Sequence, residues 1–470
     1  MPIHARAMTP RRARGGAARV TTHWMTRPRA PQRQNFLSKG MQRLRSLLLM
    51  AGMGVAPLCT AFPPAVPLPS AGSPAEEGFS AEQLQRLHSL IEKSTGPQGY
   101  LGAVTLIVRD GKVVDFQVYG HRDLGRSSPM REDTIFRIYS MTKPVTSVAV
   151  LQLVENGQIG LDDPISRYLP EFASMQRFVG GTADAPRTET VQQPITIRQL
   201  LTHTAGFASG GEGYEEATRL LERADLHGSP DLKTFVSRLA RVPLATEPGT
   251  RFKYDGTGIE VLARLVEVVS GKSFDAYLQH HIFAPLKMRD TGFSVPERYR
   301  DRIADITRMG ADGRLVLDDG PSARRPGASL NPYPSGAGGL YSTAGDYARF
   351  CQMLMNGGRL EGDVILKRKT VDLMMQNQLQ GQLDPPVNEF SSGEGFGFGG
   401  YVVLDAAKRG RSGSVGAFGW SGAASTTFTL DREEKLIAIL LMQHLPNGEK
   451  NDLPRIAVGF YDAVYEALGR

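Results

Sequence analysis

Several features that would define other protein classes are missing from this sequence. The chain of 470 residues has two cysteines, Cys59 and Cys351, and its histidines, cysteines and acidic residues lack the spacing of metal ligands. No stretch after residue 61 is long and apolar enough to cross a bilayer. We therefore expect no metal, no cofactor and no disulfide framework.

Acidic residues are also absent from the first 61 positions, which hold eleven lysines and arginines. Removing those eleven from the 55 basic residues of the chain leaves 44, against 48 aspartates and glutamates. The formal charge of +7 for the whole chain thus becomes about −4 for residues 62–470. This balance excludes an argument for nucleic-acid binding from net charge.

Residues 41–61 have the order of a secretory signal peptide: a basic start, an apolar core and a small-residue cleavage region. Residues 1–40, rich in arginine and proline, indicate an upstream extension, with a transit peptide as the alternative. Residues 62–78 are rich in proline, alanine and serine and predict a flexible linker. We expect an exported protein, periplasmic or secreted, without stable membrane insertion, and with Cys351 as its one remaining cysteine.

Strand patterns occur near both ends of the remaining chain, with helical patterns between them. The strand predictions are a hairpin at 102–121 around Asp110-Gly111 and two strands at 425–444; the helix predictions are 81–93, 196–201, 259–270 and 453–468. This order predicts an α/β (α+β) fold whose sheet is built from both termini. We assign residues 79–155 and 333–470 to the α/β domain and 156–332 to a mostly helical domain.

The segment "IYSMTKPVTSVAVLQLVENGQIG" places Ser140 and Lys143 at the start of a predicted helix. Residues three apart share a helix face, so the serine hydroxyl and the lysine amine can converge on one point. Pro144 suits a first helical turn, and Asn156-Gly157 indicates the helix end. The pair therefore has the placement of an activated nucleophile.

Two further motifs are candidates for a functional site when they are considered together with Ser140 and Lys143. Tyr254 precedes a predicted helix in "GTRFKYDGTGIEVLARLVEVVSG", within a polar, glycine-containing turn. Trp420-Ser421-Gly422 opens a predicted strand in "GAFGWSGAASTTFTLD". An ordinary α/β hydrolase would need an intact Gly-x-Ser-x-Gly motif, and the nearest approach, residues 419–423, ends in alanine.

Together the three motifs resemble the serine β-lactamase and D,D-peptidase superfamily, with the closest likeness to family VIII carboxylesterases, over about residues 80–468. The resemblance implies a β-lactamase/D,D-peptidase-like fold with an antiparallel sheet. It implies Ser140 as the nucleophile and Lys143 and Tyr254 as general base and acid. The backbone N–H groups of Ser140 and Ala423 would form the oxyanion hole, and no cofactor is needed. "LLTHTAGF", at 200–207, and "YPSGAGGLYSTAGDYARF", at 333–350, support the likeness.

Two departures from the family pattern bear on the substrate. The lactamases carry Tyr-x-Asn where this chain has Tyr254-Asp255-Gly256, and Lys-Thr-Gly where it has Trp420-Ser421-Gly422. The resemblance then implies a small-molecule acyl ester bound beside Trp420, Ser421 and Gly422. A β-lactamase, D,D-peptidase, amide hydrolase or acyltransferase stays open, as does a non-catalytic penicillin-binding-like sensor.

Two aromatic side chains near these motifs allow simpler structural readings. Trp420 could be a core residue of its strand, in place of a wall against the substrate. His203, in the segment His-Thr-Ala-Gly, is expected to be a structural, hydrogen-bonding histidine and not a catalytic base. The oligomeric state is not determined by the sequence.

Overall fold

The computed structural model describes residues 67–207, 213–379, 392–448 and 451–469. Within these ranges the strands are β1 (Gly102–Arg109), β2 (Lys112–Gly120), β3 (Phe136–Arg137), β4 (Gln176–Thr182), β5 (Ala185–Thr190), β6 (Thr307–Met309), β7 (Leu315–Leu317), β8 (Tyr341–Ser342), β9 (Arg359–Leu360), β10 (Asp363–Val364), β11 (Glu394–Phe396), β12 (Tyr401–Val403), β13 (Phe418–Gly422), β14 (Thr426–Asp431) and β15 (Leu436–Leu441). The α-helices are α1 (Ala81–Ser94), α2 (Thr142–Glu155), α3 (Ile197–Leu201), α4 (Glu215–Arg223), α5 (Leu232–Leu239), α6 (Thr257–Ser270), α7 (Phe274–Leu278), α8 (Pro321–Arg324), α9 (Ala344–Met355), α10 (Arg368–Met374), α11 (Ala406–Arg409) and α12 (Ala457–Ala467).

Seven strands form one antiparallel sheet in the order β11-β12-β13-β14-β15-β1-β2. The C-terminal strands join the N-terminal hairpin where β15 pairs with β1, with Val104 opposite Leu441 and Val108 opposite Ile437. The predicted hairpin at 102–121 is present as β1 and β2. The predicted fold class, with an antiparallel sheet from both termini, is therefore confirmed.

The sheet has an apolar layer on each face, which explains why β1 and β15 are nearly continuous apolar runs. On one face α1 and α12 pack against the strands, with Leu87 and Phe460 among the residues buried there. On the other face α2 and α9 are part of the larger core, which also includes Val104 and Phe428. The candidate site lies on the side of this larger core.

Helix α2 begins and ends as its sequence predicts, and most of its surface is buried. Eleven of its fourteen residues are buried, including the polar Thr142 and Ser147. A helix that is buried on nearly all sides is enclosed by other elements and does not lie on the surface. Its first turn, where Lys143 lies, is therefore held from several directions.

The prediction of a flexible linker at 62–78 needs correction for residues 67–78. Leu68 is buried in the larger core, and the Val113 N–H donates to the Pro69 carbonyl at 2.8 Å. The Ala71 N–H donates back to the Val113 carbonyl at 2.9 Å. Because β2 is an edge strand, its unpaired backbone groups are available to this segment, which becomes part of the fold.

The segment 156–332 contains the helices α3 to α8 and two antiparallel hairpins, β4–β5 and β6–β7. The described residues, from 67 onward, belong to one compact unit. The domain boundaries at 155 and 333 stay predictions.

The predicted upstream extension at 1–40 and the signal peptide at 41–61 lie outside the described residues. In the part of the chain that the structure describes, no helix is long and apolar enough to cross a membrane.

Candidate active site

Ser140 lies in a short 3₁₀ turn, Tyr139–Met141, between β3 and the start of α2. Tyr139, immediately before it, has φ of 43°, in the left-handed region that residues other than glycine seldom adopt. Such a conformation persists only where the surrounding structure holds it. The turn presents Ser140, which is partly exposed, to a cleft.

The segment before Ser140 is fixed by residues about 200 positions later in the chain. The Ile138 N–H donates to the Leu340 carbonyl at 3.0 Å, and the Leu340 N–H donates to Thr142 Oγ1 at 3.2 Å. The fully buried guanidinium of Arg137 donates to the Gly339 carbonyl at 3.0 Å and to the Tyr341 hydroxyl at 2.7 Å. These bonds explain how a strained turn can be maintained beside an open cleft.

Lys143, in the first turn of α2, points back to the serine. Its Nζ donates to Ser140 Oγ at 3.1 Å and to the Ala337 carbonyl at 2.8 Å, and only 2% of the residue is exposed. The same nitrogen lies 4.8 Å from the centre of the Tyr254 ring. The structure thus brings together Ser140, Lys143 and Tyr254, as the sequence predicted.

Tyr254 is held from two sides by aromatic rings. Trp420 Nε1 donates to the Tyr254 hydroxyl at 3.2 Å, and the two ring centres are 5.1 Å apart. On the other side the His203 ring centre lies 4.7 Å away. Asp255 follows, and its carboxylate accepts the N–H of Gly258, in the first turn of α6, at 2.8 Å. The hydroxyl of Tyr254 is therefore directed by packing and by one defined donor.

His203 is buried within this aromatic group, with its ring centre 4.7 Å from that of Tyr254 and 5.1 Å from that of Phe396. Its Nδ1 accepts the Asp255 N–H at 3.4 Å, and its backbone carbonyl accepts the Lys253 N–H at 2.9 Å. These contacts join the loop before α6 to the end of α3. The geometry is that of a structural histidine, in line with the prediction.

Trp420 has features of both interpretations that the sequence left open, a core residue of its strand and a wall of the cleft. It lines the cleft, yet only 5% of its surface is exposed. It packs against Tyr254 and against Phe396, whose ring centre lies 5.2 Å away in an edge-to-face arrangement. Trp420 therefore supports Tyr254 as well as lining the cleft.

Gly422 allows the end of β13 to lie against the segment before Ser140. A Cβ at this position would be 2.3 Å from the Ile138 carbonyl oxygen and 2.3 Å from Thr426 Oγ1, closer than any side chain could be accommodated. Ala423, which follows, lines the same cleft as Ser140. The close approach explains how the two predicted oxyanion-hole residues reach one cleft although they are far apart in sequence.

The cleft itself has a volume of about 510 Å³. Ser421 and Gly422, two of the positions predicted for substrate binding, line it, and none of the described residues that form its wall is acidic. Two basic residues, Arg411 and Arg455, contribute to it, and Arg411 donates to the buried Glu394 at 2.5 Å. The space beside Ser140 is large enough for a small acyl compound.

Gly256, at the position of the family's asparagine, packs closely against Ala337. A Cβ at Gly256 would lie 3.3 Å from the Cβ of Ala337, the residue whose carbonyl accepts the Lys143 amine. A larger side chain there would push against that residue. The departure at Gly256 is therefore accommodated by the close packing of the loop that holds Ala337.

One buried group beside the site was missed by sequence reasoning. Glu260, in α6, is 1% exposed, and its carboxylate accepts hydrogen bonds from the Ser335 hydroxyl and from the Gly336 N–H. The available signal was an acidic residue in the apolar run Ile259 to Leu262. An ionisable residue on the buried side of a helix is uncommon and indicates a specific partner.

A family model described as Beta-lactamase matches residues 87–460. The chain belongs to the Beta-lactamase family. This assignment confirms the resemblance inferred from the three motifs. It also agrees with the antiparallel sheet, which an ordinary α/β hydrolase would not have.

Relatives of this Beta-lactamase family chain include an esterase. Protein Rv1367c of Mycobacterium tuberculosis (strain ATCC 25618 / H37Rv) is 35% identical over 356 residues, which cover 74% of this chain and 86% of that protein. Esterase EstB of Burkholderia gladioli is 31% identical over 409 residues, which cover 82% of this chain and 96% of the esterase. Among solved structures, "EstCE1, a hydrolase with promiscuous acyltransferase activity" has a TM-score of 0.66 and 28% identity, covering 82% of this chain and 98% of that one.

Proposed function

We propose that this protein hydrolyses carboxylic esters through an acyl-enzyme on Ser140. The observation that carries the proposal is the distance of 3.1 Å between Lys143 Nζ and Ser140 Oγ, in a cleft that Tyr254 also lines. A nucleophile within hydrogen-bond distance of a base, which is itself held by other groups, is the general arrangement for covalent catalysis. Similarity to an esterase supports the same reaction class.

In the first step Ser140 Oγ attacks the acyl carbon while its proton passes to Lys143 Nζ. The negative charge on the acyl oxygen is stabilised by the N–H groups of Ser140 and Ala423. The bond to the alcohol then breaks, and the alcohol oxygen takes a proton from Lys143 by way of the Tyr254 hydroxyl. A water molecule attacks the resulting ester of Ser140, and the acid is released with the serine restored.

Trp420 supports this sequence of proton transfers through Tyr254. Its Nε1–H donates to the phenolic oxygen, so this oxygen keeps its own proton for donation and one lone pair for acceptance. The donated hydrogen bond also stabilises negative charge on the phenol. The indole thus orients Tyr254 and tunes it, and presents only a small part of its surface to the substrate.

The absence of two family groups favours neutral esters over β-lactams as substrates. The lactamase lysine that attracts a carboxylate is replaced by Trp420, and the amide-recognising asparagine by Gly256. Loss of a contact that involves a charged group weakens binding by about 1.5–3 kcal/mol. Arg411 and Arg455 lie in the cleft, so a substrate panel should include acyl groups with a remote carboxylate.

Acyl transfer is a second candidate function. The solved relative described as a hydrolase with promiscuous acyltransferase activity favours it. The same acyl-enzyme would be attacked by an alcohol in place of water, and the bonds formed and broken at Ser140 would be unchanged. Product analysis with p-nitrophenyl butyrate and added small alcohols distinguishes the two, because transfer yields a new ester and hydrolysis yields butyrate alone.

The test of the proposed function is Ser140→Ala. We expect the variant to lose p-nitrophenyl butyrate hydrolysis and to unfold at nearly the wild-type temperature. Ser94→Ala is the matched control, since Ser94 lies at the end of α1 on the opposite face of the sheet and its hydroxyl donates to the Leu90 carbonyl at 2.8 Å. Ester turnover by Ser140→Ala at a near wild-type rate would reject the assignment.

We also propose that the protein is exported and that cleavage removes residues through about Ala61. The support is the order of basic, apolar and small residues at 41–61. N-terminal sequencing of the protein recovered from outside the cytoplasm tests this. A mature protein that begins near Met1 or Met41 would contradict it.

A further inference from the structure

A buried carboxylate, that of Glu260, binds the loop that contacts Lys143, and the proposed reaction gives this carboxylate no role. Glu260 is 1% exposed and is placed on α6, six residues after Tyr254. Its two carboxylate oxygens accept hydrogen bonds from Ser335 Oγ and, at 2.9 Å, from the Gly336 N–H. Burying a carboxylate is costly, so a site that retains one needs a reason beyond packing.

The loop bound by Glu260 is the loop that holds the lysine. The Ala337 carbonyl, one residue after Gly336, accepts Lys143 Nζ at 2.8 Å. The Gly336 carbonyl accepts Thr146 Oγ1 at 2.7 Å, one helical turn after Lys143. A Cβ at Gly336 would lie 2.9 Å from the Cβ of Ala263, so the loop is pressed against α6 as well. The carboxylate, the loop and the amine therefore form one connected unit.

The charges around Glu260 come from two elements. Lys143 on α2 attracts the carboxylate, and Tyr333, in the loop before Ser335, also interacts with it electrostatically. Tyr333 in turn lies 3.4 Å from His227 Nδ1. Burial raises the pKa of Glu260 to about 7, although its two hydrogen bonds and Lys143 oppose the rise. The carboxyl therefore changes its charge near neutral pH.

We propose that Glu260 is a positioning residue that holds the Ala337 carbonyl against Lys143 and whose negative charge stabilises the ammonium group formed when Lys143 takes the Ser140 proton. The inference rests on the proposed function of Lys143 as the base. The proton moves from Ser140 Oγ to Lys143 Nζ, and Glu260 exchanges no proton in the step. A carboxylate in a low-dielectric interior acts strongly on such a developing charge.

The test compares Glu260→Gln and Glu260→Asp with a control, Glu267→Gln. The control removes another carboxylate of the same helix. The Glu267 carboxylate accepts hydrogen bonds from Arg264 and from the Phe274 N–H, and not from the loop at 335–337. Two rates are measured against pH: kcat/KM for p-nitrophenyl butyrate, and phosphonylation of Ser140 by a fluorophosphonate followed by intact mass. The second needs no ester substrate.

The wild-type rates should rise as pH increases through about 7, where Glu260 loses its proton. Glu260→Gln should lower kcat by about tenfold or more, with little change in KM, and should lose this pH dependence. Glu260→Asp should restore part of the rate and keep the pH dependence. Glu267→Gln should match the wild type in both. A Glu260→Gln rate within twofold of the wild type, or a uniform loss with the pH dependence intact, would overturn the proposal.

Ser335→Ala provides a second measurement if Glu260→Gln fails to fold. Removing the Ser335 hydroxyl takes away a hydrogen bond that lowers the pKa of Glu260, so the rise in rate should move to higher pH. An unchanged midpoint would contradict the proposal. Phosphonylation that depends on Glu260 without any ester turnover would refute the proposed function and leave this inference standing. A wild-type protein that is not phosphonylated at all would refute both.

Discussion

Replacing Gly422 by alanine tests whether the close approach of β13 to the Ser140 turn is what assembles the site. The new Cβ would lie 2.3 Å from the Ile138 carbonyl oxygen and 2.3 Å from Thr426 Oγ1. An ordinary contact begins at 3.4 Å, so β13 or the turn must move by about 1 Å. Neither neighbour is the far end of a flexible side chain, and Thr426 is itself 1% exposed.

A displacement of this size should be more harmful to catalysis than to folding. Overpacking of a tight site costs about 1–3 kcal/mol of the free energy of unfolding. A misplacement of about 1 Å between reacting groups lowers the rate by on the order of 100-fold. We therefore expect Gly422→Ala to be folded, with kcat/KM for p-nitrophenyl butyrate reduced by about two orders of magnitude.

The assay is kcat/KM on the same preparation that is used for thermal unfolding, with Gly345→Ala as the matched control. Gly345 lies in α9, and no atom of the neighbouring residues that the structure describes would lie within 4 Å of an alanine Cβ there. Alanine there should stabilise the helix by about 0.5–1 kcal/mol and leave the activity unchanged. Gly422→Ala activity within twofold of the wild type would show that the contact of β13 with the turn does not position the oxyanion hole.

Four further outcomes are expected. Lys143→Ala should lose ester turnover to about the same extent as Ser140→Ala, and the double variant should lose little more, since residues that act in one step are non-additive; a double variant that multiplies the two losses would contradict a shared step. Trp420→Phe should lower kcat/KM by about tenfold through the lost donor to the phenol, and an unchanged value would refute that role. Measured on one preparation, kcat/KM for nitrocefin should lie far below that for p-nitrophenyl butyrate, and an equal or higher value would show that the third motif was misread. The hydrogen bond to Asp115 raises the pKa of His88 above 6.5, so its stabilisation is full below that pH and is lost as pH rises through the raised pKa; in thermal unfolding against pH, His88→Gln should lack this decline, and an unchanged profile would reject the assignment.

Local spacing in the sequence determined the parts of this site that lie close together along the chain. Ser140 and Lys143 are three residues apart at a helix start, and their hydrogen bond follows from helix geometry. The Asp110-Gly111 turn likewise determined the hairpin of β1 and β2. Both depend on backbone periodicity and turn conformation, which neighbouring residues specify.

The family motifs predicted which distant residues meet, although spacing alone could not have done so. Tyr254 and Trp420 are 166 positions apart, and their hydrogen bond depends on how β13 packs beside the loop before α6. The motifs named both residues but did not indicate that the indole is almost fully buried against the phenol. That detail adds the support of Tyr254 to the expected role of Trp420 as a wall of the cleft.

Tertiary packing alone decided the features that sequence patterns misstated or did not show. Residues 67–78 have the composition of a linker, yet they are ordered by backbone hydrogen bonds to the edge of β2. Glu260 is a single acidic residue in an apolar stretch of α6. Its hydrogen-bond partners lie in the loop at 335–337, which is remote in sequence. Burial and long-range hydrogen bonds are properties of the folded chain, because each needs a partner whose position no local pattern specifies.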